Sequence, residues 1–152
     1  MTPQEMAETH GAAFTQSRPW TADEFADLLA SRFTHVVGNK TAFALVQVIG
    51  DEAELLTIAT HPDHQRQGLG RACMQAWHDK AHDLGARRAF LEVASDNAAA
   101  IALYQSCGYA RCGLRPGYYR RGKADKVDAI LMERALPRRK PGISETKWSK
   151  SG

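Results

Sequence analysis

The chain has 152 residues, 43% hydrophobic and 24% charged, with 12 glycines and 6 prolines, which describes one globular domain whose core needs neither disulfides nor a structural metal. No apolar run approaches the roughly 20 residues of a membrane span, and Met1-Thr2-Pro3-Gln4-Glu5 lacks the basic-then-apolar pattern of an export signal. Cys73, Cys107 and Cys112 are an odd number without metal-type spacing, and the formal net charge is only +3, which excludes a secreted scaffold and fits a cytoplasmic protein.

Residues Pro3 to Phe14 read as a helix with Met6, His10, Ala13 and Phe14 near one face. Pro19 prevents its continuation, and Thr21-Ala22-Asp23-Glu24 has the spacing of a capping box for a second helix carrying Phe25, Leu28 and Leu29. From His35 to Thr60 the pattern changes to short apolar runs, namely Val36-Val37, Thr41–Ile49 and Glu54–Ala59, with turns at Gly38-Asn39-Lys40 and Gly50-Asp51-Glu52. This predicts an antiparallel meander. A helix from about Gly68 to Leu84 follows, with Ala72, Ala76 and Trp77 on its apolar face and Gly85 as C-cap. Arg88–Ala94 reads as a strand and Asn97–Cys107 as a helix ended by Gly108, while Tyr109–Leu114 and Ala129–Met132 read as two closing strands. The order ααβββαβαββ predicts one α/β (α+β) domain over residues 1–136. Residues 137–152 carry five basic side chains and one acidic, so the tail holds +4 and the predicted domain −1. The tail's composition predicts disorder, and the basic excess gives no reason to expect a nucleic-acid-binding fold beyond a possible electrostatic arm.

Between the third strand and third helix lies Gln65-Arg66-Gln67-Gly68-Leu69-Gly70-Arg71. A strand–loop–helix junction presents unpaired N–H groups at the positive end of a helix dipole, and glycines let a phosphate approach closely. Arg66 and Arg71 add positive charge. The Gly-Lys-[Ser/Thr] ending of a Walker loop is missing, and Cys73 stands where Gly-x-Gly-x-x-Gly needs its last glycine. By itself the loop reads equally as a helix start with two turn glycines.

The same loop matches [Gln/Arg]-x-x-Gly-x-[Gly/Ala], with Gln65, Gly68 and Gly70 in the required places, and so resembles the GCN5-related N-acetyltransferase (GNAT) superfamily. Three further stretches resemble its ribosomal-protein-alanine N-acetyltransferase, or RimI-like, branch. They are Arg18-Pro19-Trp20-Thr21 at a helix start, Leu91-Glu92-Val93-Ala94-Ser95-Asp96-Asn97 running on to Ala102-Leu103-Tyr104, and Tyr118-Tyr119 followed by Asp128-Ala129-Ile130-Leu131-Met132. The resemblance covers about residues 3–135. It implies a mixed, mostly antiparallel central sheet, splayed where acetyl-CoA binds and flanked by about four helices. It implies pantetheine pairing with the backbone of Ile58, Ala59 and Thr60, and a pyrophosphate on Arg66, Gln67, Gly68, Leu69, Gly70 and Arg71. Asn97 matches a further cofactor contact, Glu92 the general base and Tyr104 the general acid. The implied acceptor is the N-terminal alanine of a small-subunit ribosomal protein. Ala94 stands where the branch has Arg, Val127 where it has an acidic residue, and the strand that opens the family's fold has no counterpart here. Ala94 and Val127 motivate one alternative, an acetyltransferase acting on a lysine side chain or small-molecule amine; a second is a non-catalytic acetyl-CoA-binding or ribosome-associated module, against which the retention of Glu92 and Tyr104 argues.

The chemistry suits these residue types. An α-amino group with a pKa near 8 must lose a proton before it attacks a thioester, and a carboxylate can take it, worth roughly 10²–10⁴ in rate. Glu92 shares a strand face with Phe90 and Ala94, a setting that would desolvate a carboxylate and raise its pKa, although a solvated edge glutamate has the same spacing. Tyr104 lies seven after Asn97 and three after Ile101, near one helix face, where a phenol can donate to a departing thiolate or simply pack. The oxyanion would meet a backbone N–H near Ile58 or Ala59. No covalent intermediate is needed, so the cysteines read as small buried hydrophobes. His61-x-x-His64 and His78-x-x-x-His82 read as surface histidines, because no glutamate or cysteine completes a ligand set; no metal is expected.

Overall fold

The computed structural model describes residues 1–14, 18–121 and 125–137. Two helices open the chain, α1 (Pro3–Ala13) and α2 (Ala22–Leu29), each started by the same device. Thr2 accepts from Glu5 N–H and Thr21 from Glu24 N–H, while each glutamate accepts from its threonine's own N–H. Two orphan donors are thereby satisfied at each helix start.

The meander follows as β1 (Thr34–Gly38), β2 (Ala42–Ile49) and β3 (Glu52–Thr60), then α3 (Leu69–Asp83), β4 (Arg88–Ala94), α4 (Ala98–Ser106), β5 (Ala110–Arg121) and β6 (Asp125–Ala135). The six strands form one sheet in the order β1-β2-β3-β4-β6-β5. All pairings are antiparallel except β3 with β4, which is parallel and limited to Glu52–Glu54 against Arg88–Phe90. Beyond that rung the two strands diverge, and the sheet opens between them.

Side chains of β2 serve two cores. Ala42, Ala44, Val46 and Val48 join α3 and α4 through Cys73, Met74, Trp77, Ala81 and Tyr104. Phe43 and Leu45 join Met6 of α1 and Phe25 of α2. The helices thus cover opposite faces of the sheet, as period-2 alternation requires. On β3 the alternation breaks once. Val46 faces Leu55 while Leu45 faces Thr57, leaving Leu56 without a partner in a β-bulge. Before the bulge Ala53 and Leu55 point to the α3 side; after it Ile58 does so, and Ala59 points to the α1–α2 side.

Several expectations need correction. Ala72 and Ala76 of α3 are exposed, and the buried stripe is Cys73, Met74, Trp77, His78 and Ala81. Alanine tolerates solvent at little cost, so the larger side chains decide the orientation. His78 is buried rather than at the surface, its Nε2 2.7 Å from the Tyr109 hydroxyl. Of the cysteines only Cys73 is buried; Cys107 is half-buried and Cys112 exposed. Strand β5 runs past Leu114, where the predicted strand ended, through Pro116-Gly117 to Arg121. It passes them in a bulge spanning Arg115 to Tyr119, pinned where Asp128 Oδ1 accepts from Gly117 N–H at 2.8 Å. Of the expected tail only Pro137 lies within the described residues.

Candidate active site

The opening between β3 and β4 leads into a cavity of about 930 Å³, within the usual size of a small-molecule cleft. One wall is β3 from Leu55 to Thr60, including Ile58, Ala59 and Thr60. The facing wall is Glu92, Val93 and Ala94 of β4 with Asn97, Leu103 and Tyr104 of the α4 segment. Arg66, Gly68, Leu69 and Gly70 close one end, while His10, Phe14, Arg18 and Trp20 reach in from the α1–α2 side together with Tyr119. Of the residues singled out by sequence, Gln67 and Arg71 do not line the cavity. The Arg71 guanidinium is turned to Ser106 Oγ, donating at 2.7 Å.

The start of α3 differs from those of α1 and α2. Its N-cap is Gly68 at φ 75°, in the left-handed region, with no side-chain cap and no acidic residue in the first turn. The first helical bond recorded is Ala72 N–H to Gly68 C=O at 3.0 Å, so the N–H groups of Leu69, Gly70 and Arg71 remain open for an anion. Arg66 also adopts a positive φ, 65°, which L side chains rarely take. A Cβ at Gly70 would come to 3.4 Å from Leu103 Cδ2, so glycine keeps this wall thin. Asn97 caps α4, its Oδ1 accepting from Ala100 N–H at 3.2 Å. Its amide N–H₂ group is not used by that cap.

Glu92 sits on the cavity wall with its side chain 21% exposed. Oε1 is 3.7 Å from Arg115 Nη2, and Oε2 is buried without a hydrogen-bond partner among the described residues. Tyr104 is buried, and desolvation, followed by the nearby Tyr119 and Cys107, pushes its phenol up to about 12. It therefore stays protonated throughout the neutral range.

Sequence reasoning missed His10 as a cavity residue. It is 1% exposed, stacked on Phe14 at 3.9 Å and flanked by Trp20 and Phe25. Its Nδ1 accepts from Trp20 N–H at 3.2 Å, which leaves the proton on Nε2. Burial lowers its pKa to about 4 despite the opposing charge of Glu24. Among the described residues no group of three or more His, Cys, Asp or Glu side chains is assembled for a metal, and no helix is long and apolar enough to cross a membrane.

Residues 4–109 match the acetyltransferase (GNAT) family. The chain belongs to that family. This GNAT acetyltransferase is 42% identical over 123 residues to the [ribosomal protein bS18]-alanine N-acetyltransferase of Escherichia coli (strain K12), covering 78% of this chain and 81% of that protein. The crystal structure of the ribosomal-protein-S18-alanine N-acetyltransferase from Escherichia coli superposes with a TM-score of 0.79 at 32% identity, over 96% of this chain and 93% of that one. Arabidopsis thaliana NAA60, solved in complex with acetyl-CoA, shares the fold with a TM-score of 0.75 at 14% identity, over 88% and 92% of the two chains. The predicted fold class is thereby established: six strands, mostly antiparallel, with four helices among the described residues.

Proposed function

We propose that this GNAT acetyltransferase is an acetyl-CoA-dependent protein Nα-acetyltransferase acting on the N-terminal alanine of a small-subunit ribosomal protein. The observation that carries the reading is the cavity itself, where a carboxylate with an unpartnered buried oxygen and a protonated phenol share a wall. A ribosomal acceptor implies a cytoplasmic location.

The residues present fit acetyl-CoA. Uncapped N–H groups at Leu69, Gly70 and Arg71 would take the pyrophosphate, with Arg66 beside them, and Gly68 frees the backbone for close approach. Ile58, Ala59 and Thr60 lie on the β3 segment beyond the last β3–β4 rung, so their wall-side backbone has no strand to pair with and would take the pantetheine amides. The N–H₂ of Asn97 supplies a further donor. Acetyl-CoA supplies an acetyl group activated as a thioester.

Glu92 accepts the proton of the acceptor amine at its open Oε2, which makes the amine nucleophilic. Tyr104 holds its proton and offers a hydrogen bond to the departing sulfur. Full transfer from a phenol at about 12 to a thiolate of ordinary pKa ~8.5 is uphill, so the contribution of Tyr104 is mainly that donated bond. A backbone N–H of the opened β3 stabilises charge on the carbonyl oxygen.

The test is acetylation of a hexapeptide panel beginning with Ala, Ser or Met, together with a peptide whose amine is a lysine side chain. Transfer to the alanine N-terminus is the expected outcome. Transfer to lysine and to no N-terminus would overturn the acceptor assignment and leave the acetyltransferase intact.

A further inference from the structure

The connection between α1 and α2 has neither a helix nor a sheet ladder to hold it. The chain leaves α1 at Phe14, whose N–H still bonds to His10 C=O at 2.8 Å, and enters α2 at the Thr21 cap. Phe14 and Trp20 are both half-buried and both line the cavity, together with Leu56. His10 lies between them. Its imidazole stacks on Phe14 at 3.9 Å and on Trp20 at 5.2 Å, with Phe25 edge-on at 5.5 Å. Its Nδ1 takes the Trp20 N–H at 3.2 Å, a donor that precedes the N-cap and so lies outside the α2 ladder. The other ring nitrogen, Nε2, is buried without a hydrogen-bond partner. An orphaned donor costs at least as much as one neutral bond returns, so stability alone would be served as well by a phenyl ring. What the imidazole adds is an acceptor that fixes the Trp20 backbone.

We propose that His10 is a positioning residue for the acceptor polypeptide: by bonding the Trp20 N–H and stacking between Phe14 and Trp20, it holds these two rings as the acceptor-side wall of the cavity. This rests on the reading of the protein as an Nα-acetyltransferase. The residues assigned to the cofactor lie on β3, the start of α3 and the cap of α4, which leaves the acceptor the side where Phe14, Trp20 and Leu56 converge. A wall that is loosened there no longer selects one orientation of the acceptor, so peptide binding weakens while the cofactor contacts stay in place. Nδ1 accepts only while the ring is neutral. Burial keeps it so at pH 7, against Glu24, whose carboxylate is itself bound by Arg18 at 2.8 Å. The β2 and β3 residues of the same core, Phe43, Leu45 and Ala59, carry no charge.

The experiment measures kcat, peptide KM and acetyl-CoA KM with an alanine-N-terminal hexapeptide for wild type, His10→Phe, His10→Asn and His10→Leu. The phenylalanine keeps a stacking ring and removes the acceptor, the asparagine keeps an acceptor in the place of Nδ1, and the leucine keeps neither. His10→Phe and His10→Leu are expected to raise peptide KM about fivefold or more, with kcat and acetyl-CoA KM within about twofold of wild type. His10→Asn should recover part of what His10→Leu loses. A peptide KM for His10→Phe equal to that of wild type overturns the proposal. So does a rise in both KM values together with a fall in kcat, which is what a merely structural role produces. For variants that do not fold, nitrogen NMR of the wild type decides. The His10 proton must sit on Nε2 at pH 7, and the N-acetylated product peptide, added with CoA, must shift the Phe14 and Trp20 resonances. A proton on Nδ1, or resonances that stay in place under saturating product, overturns the proposal. Wild type that acetylates no alanine N-terminus overturns the acceptor reading, and this inference with it.

Discussion

His10 and His78 are each buried and each lowered to about 4, chiefly by desolvation. Both imidazoles are therefore neutral in the native protein at pH 7, while the unfolded chain takes up protons once the pH drops below about 6.5. The stability they contribute is fully present above 6.5 and is lost progressively as pH falls toward 4. On the order of 1–3 kcal/mol each is at stake. Urea unfolding at pH 7.5 and pH 5 checks this: wild type should lose stability between the two, and His10→Gln or His78→Gln should each remove part of that dependence. For catalysis, Glu92→Gln should lower kcat by roughly 10²-fold or more, and Tyr104→Phe by roughly tenfold or more, with acetyl-CoA affinity little changed in either. Unaltered turnover in both would remove them from the mechanism.

At the scale of elements, the Arg66–Arg71 loop concentrates the unusual backbone of the site, with Arg66 at φ 65° and Gly68 at φ 75°. Gly68→Ala forces a side chain into the left-handed region, and Gly70→Val crowds Leu103 on the cavity wall. Both variants should raise KM for acetyl-CoA about tenfold or more while the protein still folds, a loss of about 1.4 kcal/mol in binding; titration calorimetry with acetyl-CoA reads it directly. This loop was legible in the sequence because its glycines and its place between strand and helix are local facts. The box at Thr21 and Glu24 was legible for the same reason. What the sequence hid depends on pairing between distant segments. Glu92 and Arg115 meet only because β6 alone lies between β4 and β5 in the sheet. His10 becomes a cavity residue only when α1 and the Trp20 segment close on it. On α3 the reading placed Trp77 on the apolar face as the structure has it, but set Ala72 and Ala76 beside it in place of Cys73 and Met74, whose burial contributes more.

For the whole molecule, the division of charge matters more than its sum. The cavity, both cores and every strand among the described residues lie within residues 1–136, where the formal charge is −1, and the basic excess lies at 137–152. Removing residues 137–152 should leave kcat/KM on a short alanine peptide within about twofold of the full chain; a larger loss in the peptide assay would place part of the site beyond Leu136. The bulge at Leu56 has a different consequence. It makes β3 a strand with a reading frame: residues before it belong to one core by their odd numbers, and residues after it by their even ones. Substitution along β3 is a matter of size and polarity at one position. Loss of Leu56 would leave Leu55 and Thr57 on rungs already opposite Val46 and Leu45, so both faces would survive, whereas a residue gained there would have to be absorbed by a wider bulge or turn Ile58 toward α1 and Ala59 toward α3. The bulge at Leu56 is therefore the place where β3 can lose a residue and keep both of its faces.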